Sequence, residues 1–207
     1  MSELIQHYES LFDAHGGKSV ESVQAASAKQ QKKRFEILFE MGSDMSSILD
    51  VGCGLGHMLK FMQSSNLYSG KINYLGVDFV PSFIDYCKKN LSSELSNFQR
   101  VDLNHERLPE GRDYCLLSGV FNNVMPHNDE FMKSTLKKMF DASKKGIAFN
   151  ALSTYVDYQD DKLYYSNPVK IFDFCKTTLS GRVVLRHEYQ TKPNLIPFEY
   201  TIYVYKD

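Results

Sequence analysis

Apolar and polar positions along the chain fall into two alternating rhythms. Leu4, Tyr8, Leu11 and Phe12 recur at helical spacing, and His15-Gly16-Gly17 ends that pattern. A second helical stretch is predicted from about Ser22 to Met41, with Gly42 as its stop. Beyond it, short apolar runs alternate with helical stripes. SSILDVG (46–52) reads as a strand, and Leu55, Met58, Leu59 and Met62 as a helix face. INYLGVD (72–78) is a strand followed by a helix carrying Ile84, Cys87 and Leu91. NFQRVD (97–102) and DYCLLSG (113–119) are strands joined by a loop too short to demand a helix. Met132, Leu136 and Met139 mark another helix, GIAFNAL (146–152) a strand, and Phe172, Cys175 and Leu179 the last helix. RVVLRHEY (182–189) and FEYTIYVY (198–205), linked by the turn-length TKPNLIP, pair as an antiparallel hairpin.

Alternation of this kind predicts an α/β fold: a doubly wound, mostly parallel seven-stranded sheet with an antiparallel C-terminal hairpin strand. Residues 1–45 are expected to form an N-terminal helical cap and 46–207 the main domain, a single domain overall. In such sheets ligands bind outside the carboxyl ends of the strands, near the switch in strand order. That rule selects residues 52–57, 78–80, 102–103, 118–127 and 150–158.

The sharpest local signal lies in the first of these windows. Asp50-Val51-Gly52-Cys53-Gly54-Leu55-Gly56 sits at a strand-to-helix turn. Glycine there permits positive φ and lets a ligand approach the backbone. A dinucleotide fingerprint would place its third glycine at position 57, which is His57. Asp78 ends the next strand, where a carboxylate can accept from both hydroxyls of a ribose. Asp102 ends the one after, placed for an adenine amine or a loop cap.

ILDVGCGLG, LGVDFVPSFIDYCKKN, VDLN and DYCLLSG, in that order, resemble the class I methyltransferases that use S-adenosylmethionine. The resemblance covers residues 46–152 by motif and reaches the C-terminus by strand pattern. It implies that Gly52, Gly54 and Gly56 line the S-adenosyl-L-methionine site and that Asp50 orders the glycine loop or bonds the amino group. It further implies that Asp78 holds the ribose, Phe79 packs on the adenine, Asp102 and Leu103 meet the adenine edge, and Ser118 and Gly119 lie beside the sulfonium. Ser118-Gly119 stand where metal-dependent members carry acids, so no catalytic metal is expected.

Other positions hold two readings each. Gln31 is polar on the Ala28, Phe35, Leu38 stripe, and Arg34 lies beside it. Either they reach the methionine carboxylate or they belong to a solvated flank. His127 is a candidate general base, since an unperturbed histidine titrates near 6.5; the alternative is an exposed helix start. Asn150 is a structural or catalytic amide. In the insertion 152–167, Tyr155, Tyr158, Tyr164 and Tyr165 either wall an acceptor pocket, Tyr155 being the catalytic candidate, or form an aromatic surface hairpin or a homodimer contact. His187 alternates with Leu185 and Val183 and reads as a core histidine.

Composition narrows the partners. Among 207 residues, 24 Lys and Arg nearly cancel 25 Asp and Glu, leaving a charge of −1 that disfavours a polyanion partner such as nucleic acid. No apolar run reaches membrane-spanning length, and the first residues do not read as a signal peptide. Cys53, Cys87, Cys115 and Cys175 form no metal-ligand spacing and fit a reducing cytoplasm. The adenine-amine motif and the pyrimidine-type nucleophilic cysteine are both absent after the fourth strand. A small-molecule acceptor, methylated at oxygen and exemplified by a sugar or other metabolite, is therefore expected. The competing readings are a catalytically silent cofactor-binding domain and a nicotinamide oxidoreductase.

Overall fold

The computed structural model describes residues 2–42, 44–65 and 72–206. One seven-stranded sheet runs through it, made of β1 (Ser47–Val51), β2 (Asn73–Asp78), β3 (Ser96–Arg100), β4 (Arg112–Leu117), β5 (Ser143–Leu152), β6 (Arg182–Arg186) and β7 (Glu199–Tyr205). The order is β3-β2-β1-β4-β5-β7-β6. All neighbours pair parallel except β5–β7 and β6–β7. Order reverses between β1 and β4, which fixes the switch point beside the glycine turn.

Burial explains which runs are continuous. β1, β2, β4, β5 and β7 are covered on both faces, so their apolar runs are nearly unbroken. The edge strands β3 and β6 are the exposed, mixed ones. One face buries Leu49, Val77, Leu117, Phe149 and Ile202 against Met132, Leu136 and Met139 of α5 (Asn128–Ala142) and Ile171 of α6 (Pro168–Phe174). The other buries Ile48, Tyr74, Leu116, Ala148 and Tyr203. Against it pack α2 (Ala28–Phe39), α3 (His57–Ser64) and α4 (Pro81–Leu91). The buried phenols on this face are satisfied: Tyr74 donates to Asp50 at 2.5 Å and Tyr203 to the Ile37 carbonyl at 2.6 Å.

The second helix is shorter than the sequence pattern predicts. A 3₁₀ turn at Glu21–Val23 ends in Gln24, whose φ is +56°, and α2 begins only at Ala28. Ser27 is the reason, because its side chain accepts from Gln30 N–H at 3.2 Å and caps the helix there. The last helical stripe likewise changes character, becoming a π-type turn at Cys175–Leu179.

α1 (Ser2–His15) lies over α4 through aromatic edges, Tyr8 and Phe12 on Phe83 and Phe12 on Tyr86. Gly17 lets the chain pass Tyr86 closely, since a Cβ there would come 2.1 Å from the ring.

Candidate functional site

A cavity of about 290 Å³ lies over the carboxyl ends of the strands. Its floor is the glycine turn, and its walls come from α1, α2 and four irregular stretches. These are residues 23–26, 118–125, the insertion around Leu163, and the β6–β7 connection at Lys192 and Phe198.

Asp78 is the centre of the floor. It ends β2, and its Oδ2 accepts from Gly54 N–H at 2.8 Å and its Oδ1 from Val80 N–H at 3.0 Å. The carboxylate thus fixes the glycine turn and still has lone pairs free toward the cavity. Burial pushes its pKa up, against the backbone N–H groups of Val80, Gly54 and Phe79 that hold it down. Asp50 sits two residues before the turn and is almost fully buried. Burial pushes its carboxyl up to about 7, opposed by the Tyr74 hydroxyl and reinforced by the charge of Asp78.

Gly52 and Gly54 line the cavity with φ of +74° and +52°. A Cβ on Gly52 would meet Val120 at 2.2 Å, and one on Gly54 would meet Val23 at 2.9 Å. Gly56 is different. It caps α3 and faces α4, where a Cβ would meet Leu91 at 2.5 Å, and it does not line the cavity. Its third-glycine position serves helix packing, a correction to its expected place in the lining.

Phe79, Asp102, Leu103, Ser118 and Gly119 all line the cavity. Asp102 is also a loop cap, its Oδ1 accepting from Asn104 N–H at 2.9 Å. Asn150 is structural in geometry. Its amide accepts from Gly119 N–H at 3.0 Å and donates to Ser118 Oγ at 3.1 Å, tying the end of β4 to β5.

Gln31 and Arg34 line the cavity as well. Arg34, however, is bound to Glu199 at the start of β7 by two parallel bonds of 2.7 Å, with side chains 12% and 3% exposed. Thr191 donates to the same carboxylate at 3.3 Å. The guanidinium is therefore neutralised by the protein itself, contrary to the expectation that its charge stands free for a ligand carboxylate.

Two catalytic candidates are corrected outright by their placement. His127 is 77% exposed and pairs with Glu130 at 2.9 Å, outside the cavity lining. It is the N-cap of α5, with φ of +60° and no side-chain capping bond. Tyr155 is 53% exposed and rests its ring near His187 rather than in the cavity. Tyr158, Tyr164 and Tyr165 do not line it either; Leu163, from the same insertion, does. His187 is partly buried beside Tyr200, with its Nε2 lacking a partner.

Several lining residues carried no sequence signal. Tyr8 accepts from Asn123 Nδ2 at 2.7 Å, latching α1 to the segment after β4. His57 lines the cavity, and burial, helped by Lys60, brings its pKa down to about 4, so it is neutral. Its Nε2 and the Asn122 Oδ1 are buried and lack a partner. Orphan polar atoms in a cavity wall are a demand for a ligand or water. Among the described residues no cluster of three or more metal-ligating side chains occurs.

The arrangement fits S-adenosylmethionine. Asp78 and the backbone of the turn suit a ribose, Phe79 and Leu103 an adenine, Asp50 an ammonium group, and Gln31 and the orphan atoms the remaining polar groups.

Comparison with known proteins agrees. The sequence profile of a methyltransferase domain matches residues 49–146. A protein of Mycobacterium tuberculosis named as a methyltransferase (Rv1506c) is 31% identical over 170 residues, covering 79% of this chain and 95% of that one. Among solved structures, magnesium protoporphyrin IX methyltransferase of Synechocystis, with S-adenosylhomocysteine bound, superposes with a TM-score of 0.68. It is 10% identical and covers 100% of this chain and 95% of its own. A methyltransferase of Archaeoglobus fulgidus gives 0.64 at 15% identity, covering 87% of this chain and 95% of its own. Human N-acetylserotonin methyltransferase gives 0.64 at 17%, covering 99% of this chain and 56% of its own.

Proposed function

Since the chain belongs to the class I S-adenosylmethionine-dependent methyltransferase family, we propose that its acceptor is a small molecule methylated at oxygen. One observation carries this. The cavity runs without interruption from Asp78 to Phe198, and its far walls are the apolar Met125, Phe131, Leu152, Leu163 and Phe198. Apolar walls of this kind beside the nucleoside site suit a metabolite-sized acceptor. Its apolar lining favours a carbon skeleton over the polyol face of a sugar.

When bound, S-adenosylmethionine supplies a methyl group on a sulfonium, whose departure as a neutral thioether needs neither acid nor metal. The chain's own residues do the rest. In this reading Asp78 grips the ribose, Asp50 the amino group, Gly52 and Gly54 give the backbone room, and Phe79, Asp102 and Leu103 hold the adenine. Ser118 and Gly119, fixed by Asn150, set the floor beneath the reacting atoms. The N-terminal segment 1–45 forms a cap over the domain 46–207 and excludes water. Gln31 belongs to that cap.

Oxygen is favoured over nitrogen by charge. Arg34 is neutralised by Glu199, but a protonated amine would still enter beside the Lys192 ammonium, whereas an acidic hydroxyl or carboxylate enters without that opposition. Neutral His57 is a poor general base, since burial brings its pKa down to about 4 and covers its unpartnered Nε2. An acceptor that ionises readily by itself suits it best.

The test is turnover. With S-adenosylmethionine and matched phenol, carboxylic acid, amine and thiol acceptors, S-adenosylhomocysteine release is expected with the oxygen nucleophiles. Asp78→Ala is expected to weaken S-adenosylhomocysteine by about 100-fold, equivalent to about 2.7 kcal/mol, in line with loss of charge-assisted hydrogen bonds. Turnover confined to amines or thiols would refute the oxygen assignment.

A further inference from the structure

We propose that the acceptor is an anion, its carboxylate or phosphate held by Lys192 on the β6–β7 connection. This rests on the reading above that the far half of the cavity receives a small acceptor.

The strand order distributes charge along one edge of the sheet. At the carboxyl ends, Asp102 follows β3, Asp78 closes β2 and Asp50 lies on β1, all lining the cavity. β7 is antiparallel, so its first residue, Glu199, stands opposite Leu152 at the end of β5. Arg34 and Lys192 therefore belong to the β5–β7 side. Four strand spacings separate β2 from β7, about 19 Å at about 4.8 Å each. The cavity is acidic at one end and, with Arg34 paired to Glu199, carries the Lys192 ammonium on the other side, with Ser118 and Gly119 between.

S-adenosylmethionine carries two positive groups and one carboxylate, so the acidic end suits it. On the opposite side Arg34 is already paired with Glu199. Lys192 forms no ion pair among the described residues, and its ammonium stands 5.5 Å from the centre of the Phe198 ring. Leu152, which stands opposite Glu199, and Leu163 line the cavity too. A lysine ammonium in such apolar company favours a counter-ion, and a ring face satisfies it only in part.

The outer side of the same connection strengthens the case. A surface depression is lined by Lys29, Lys32, Lys33 and Thr191, with Glu36 as its one acid. Lys29 and Lys32 form no ion pair among the described residues; Lys33 faces Glu36 at 3.5 Å. Thr191 belongs to this depression and Lys192 to the cavity, so a net positive field flanks this connection on both sides. Such a field draws in an anion and repels a cation.

The test uses the full chain saturated with S-adenosylhomocysteine, titrated calorimetrically at low salt with phenyl phosphate, benzoate and neutral benzyl alcohol. The expected result is binding of at least one anion at least tenfold tighter than the alcohol. Lys192→Gln should weaken it about tenfold, Lys192→Arg should restore it, and S-adenosylhomocysteine affinity should stay within twofold in both variants. The tighter of the two anions separates a phosphate from a carboxylate. Equal affinity for alcohol and anions, or no effect of Lys192→Gln, would overturn the proposal. So would a matching loss of S-adenosylhomocysteine affinity, which would assign Lys192 to the cofactor's own carboxylate. If S-adenosylhomocysteine itself gives no heat, the reading of the whole cavity fails, a result distinct from cofactor binding without anion preference.

Discussion

Asp50 shows how a single carboxyl can carry a pH dependence. Buried under the glycine turn and next to Asp78, it titrates near 7 in the folded protein, against about 3.9 in an unfolded chain. The folded state therefore keeps this proton over a range where the unfolded state has lost it. Its contribution to stability without ligand falls as pH rises from about 4 to about 7, then levels. A cationic amino group beside Asp50 reverses the preference, so cofactor binding expels the proton. The dissociation constant of S-adenosylhomocysteine should drop by up to about tenfold per pH unit below 7 and flatten above it. Asp50→Asn should flatten that slope down to whatever the raised Asp78 carboxyl contributes. His57, at about 4, titrates below the window and does not mimic it. A flat profile in the unsubstituted protein would show that Asp50 does not face the amino group.

At the scale of elements, the device that closes the cavity is a contact between stretches remote in sequence. Tyr8 of α1 receives a hydrogen bond from Asn123, which follows β4, and touches the Phe79 and Phe83 rings at their edges. Tyr8→Phe keeps the ring packing and removes the bond, worth about 1 kcal/mol. S-adenosylhomocysteine release should accelerate about fivefold in stopped-flow displacement, with a melting shift of only about 2–4 °C. An unchanged release rate would mean that α1 does not gate the cavity. This latch lies beyond what the sequence reveals, and the reason is general. The strands were legible because burial on both faces turns β1, β2, β4, β5 and β7 into apolar runs. The glycine turn, Asp78 and Asp102 were legible because strand ends are local features. Pairings such as Tyr8–Asn123 and Arg34–Glu199 join residues 115 and 165 positions apart, which periodicity cannot register. The helix start at Ala28 was visible in principle through Ser27, but an alanine-rich stretch around it reads as continuous helix. His127 and Tyr155 failed for a related reason: their windows follow strand ends, yet the chain turns outward at both.

For the whole molecule, a nearly neutral sum conceals a polarised edge, acids over β1–β3 and lysines around α2 and the β6–β7 connection. The two parts also differ in rigidity. The sheet interior is close-packed, whereas the cavity walls include irregular segments with few ladder bonds, among them three drawn from residues 20–27, 118–125 and 189–198. Such segments open at the least free energy. A ligand that binds only the folded state stabilises it by about 2.7 kcal/mol at 100 times its dissociation constant. For a chain of this size that corresponds to about 5–10 °C in melting temperature. Hydrogen exchange should locate where the ligand acts. S-adenosylhomocysteine should slow exchange within seconds to minutes in α1 and the three wall segments. In the β5–β7 ladder, which pairs Gly146 to Leu152 with Tyr205 to Glu199, any gain should show only at long times. Early protection appearing in that ladder but not in the walls would mean that the bound nucleoside sits away from the cavity, and the division of labour between a rigid sheet and a closing rim would not hold.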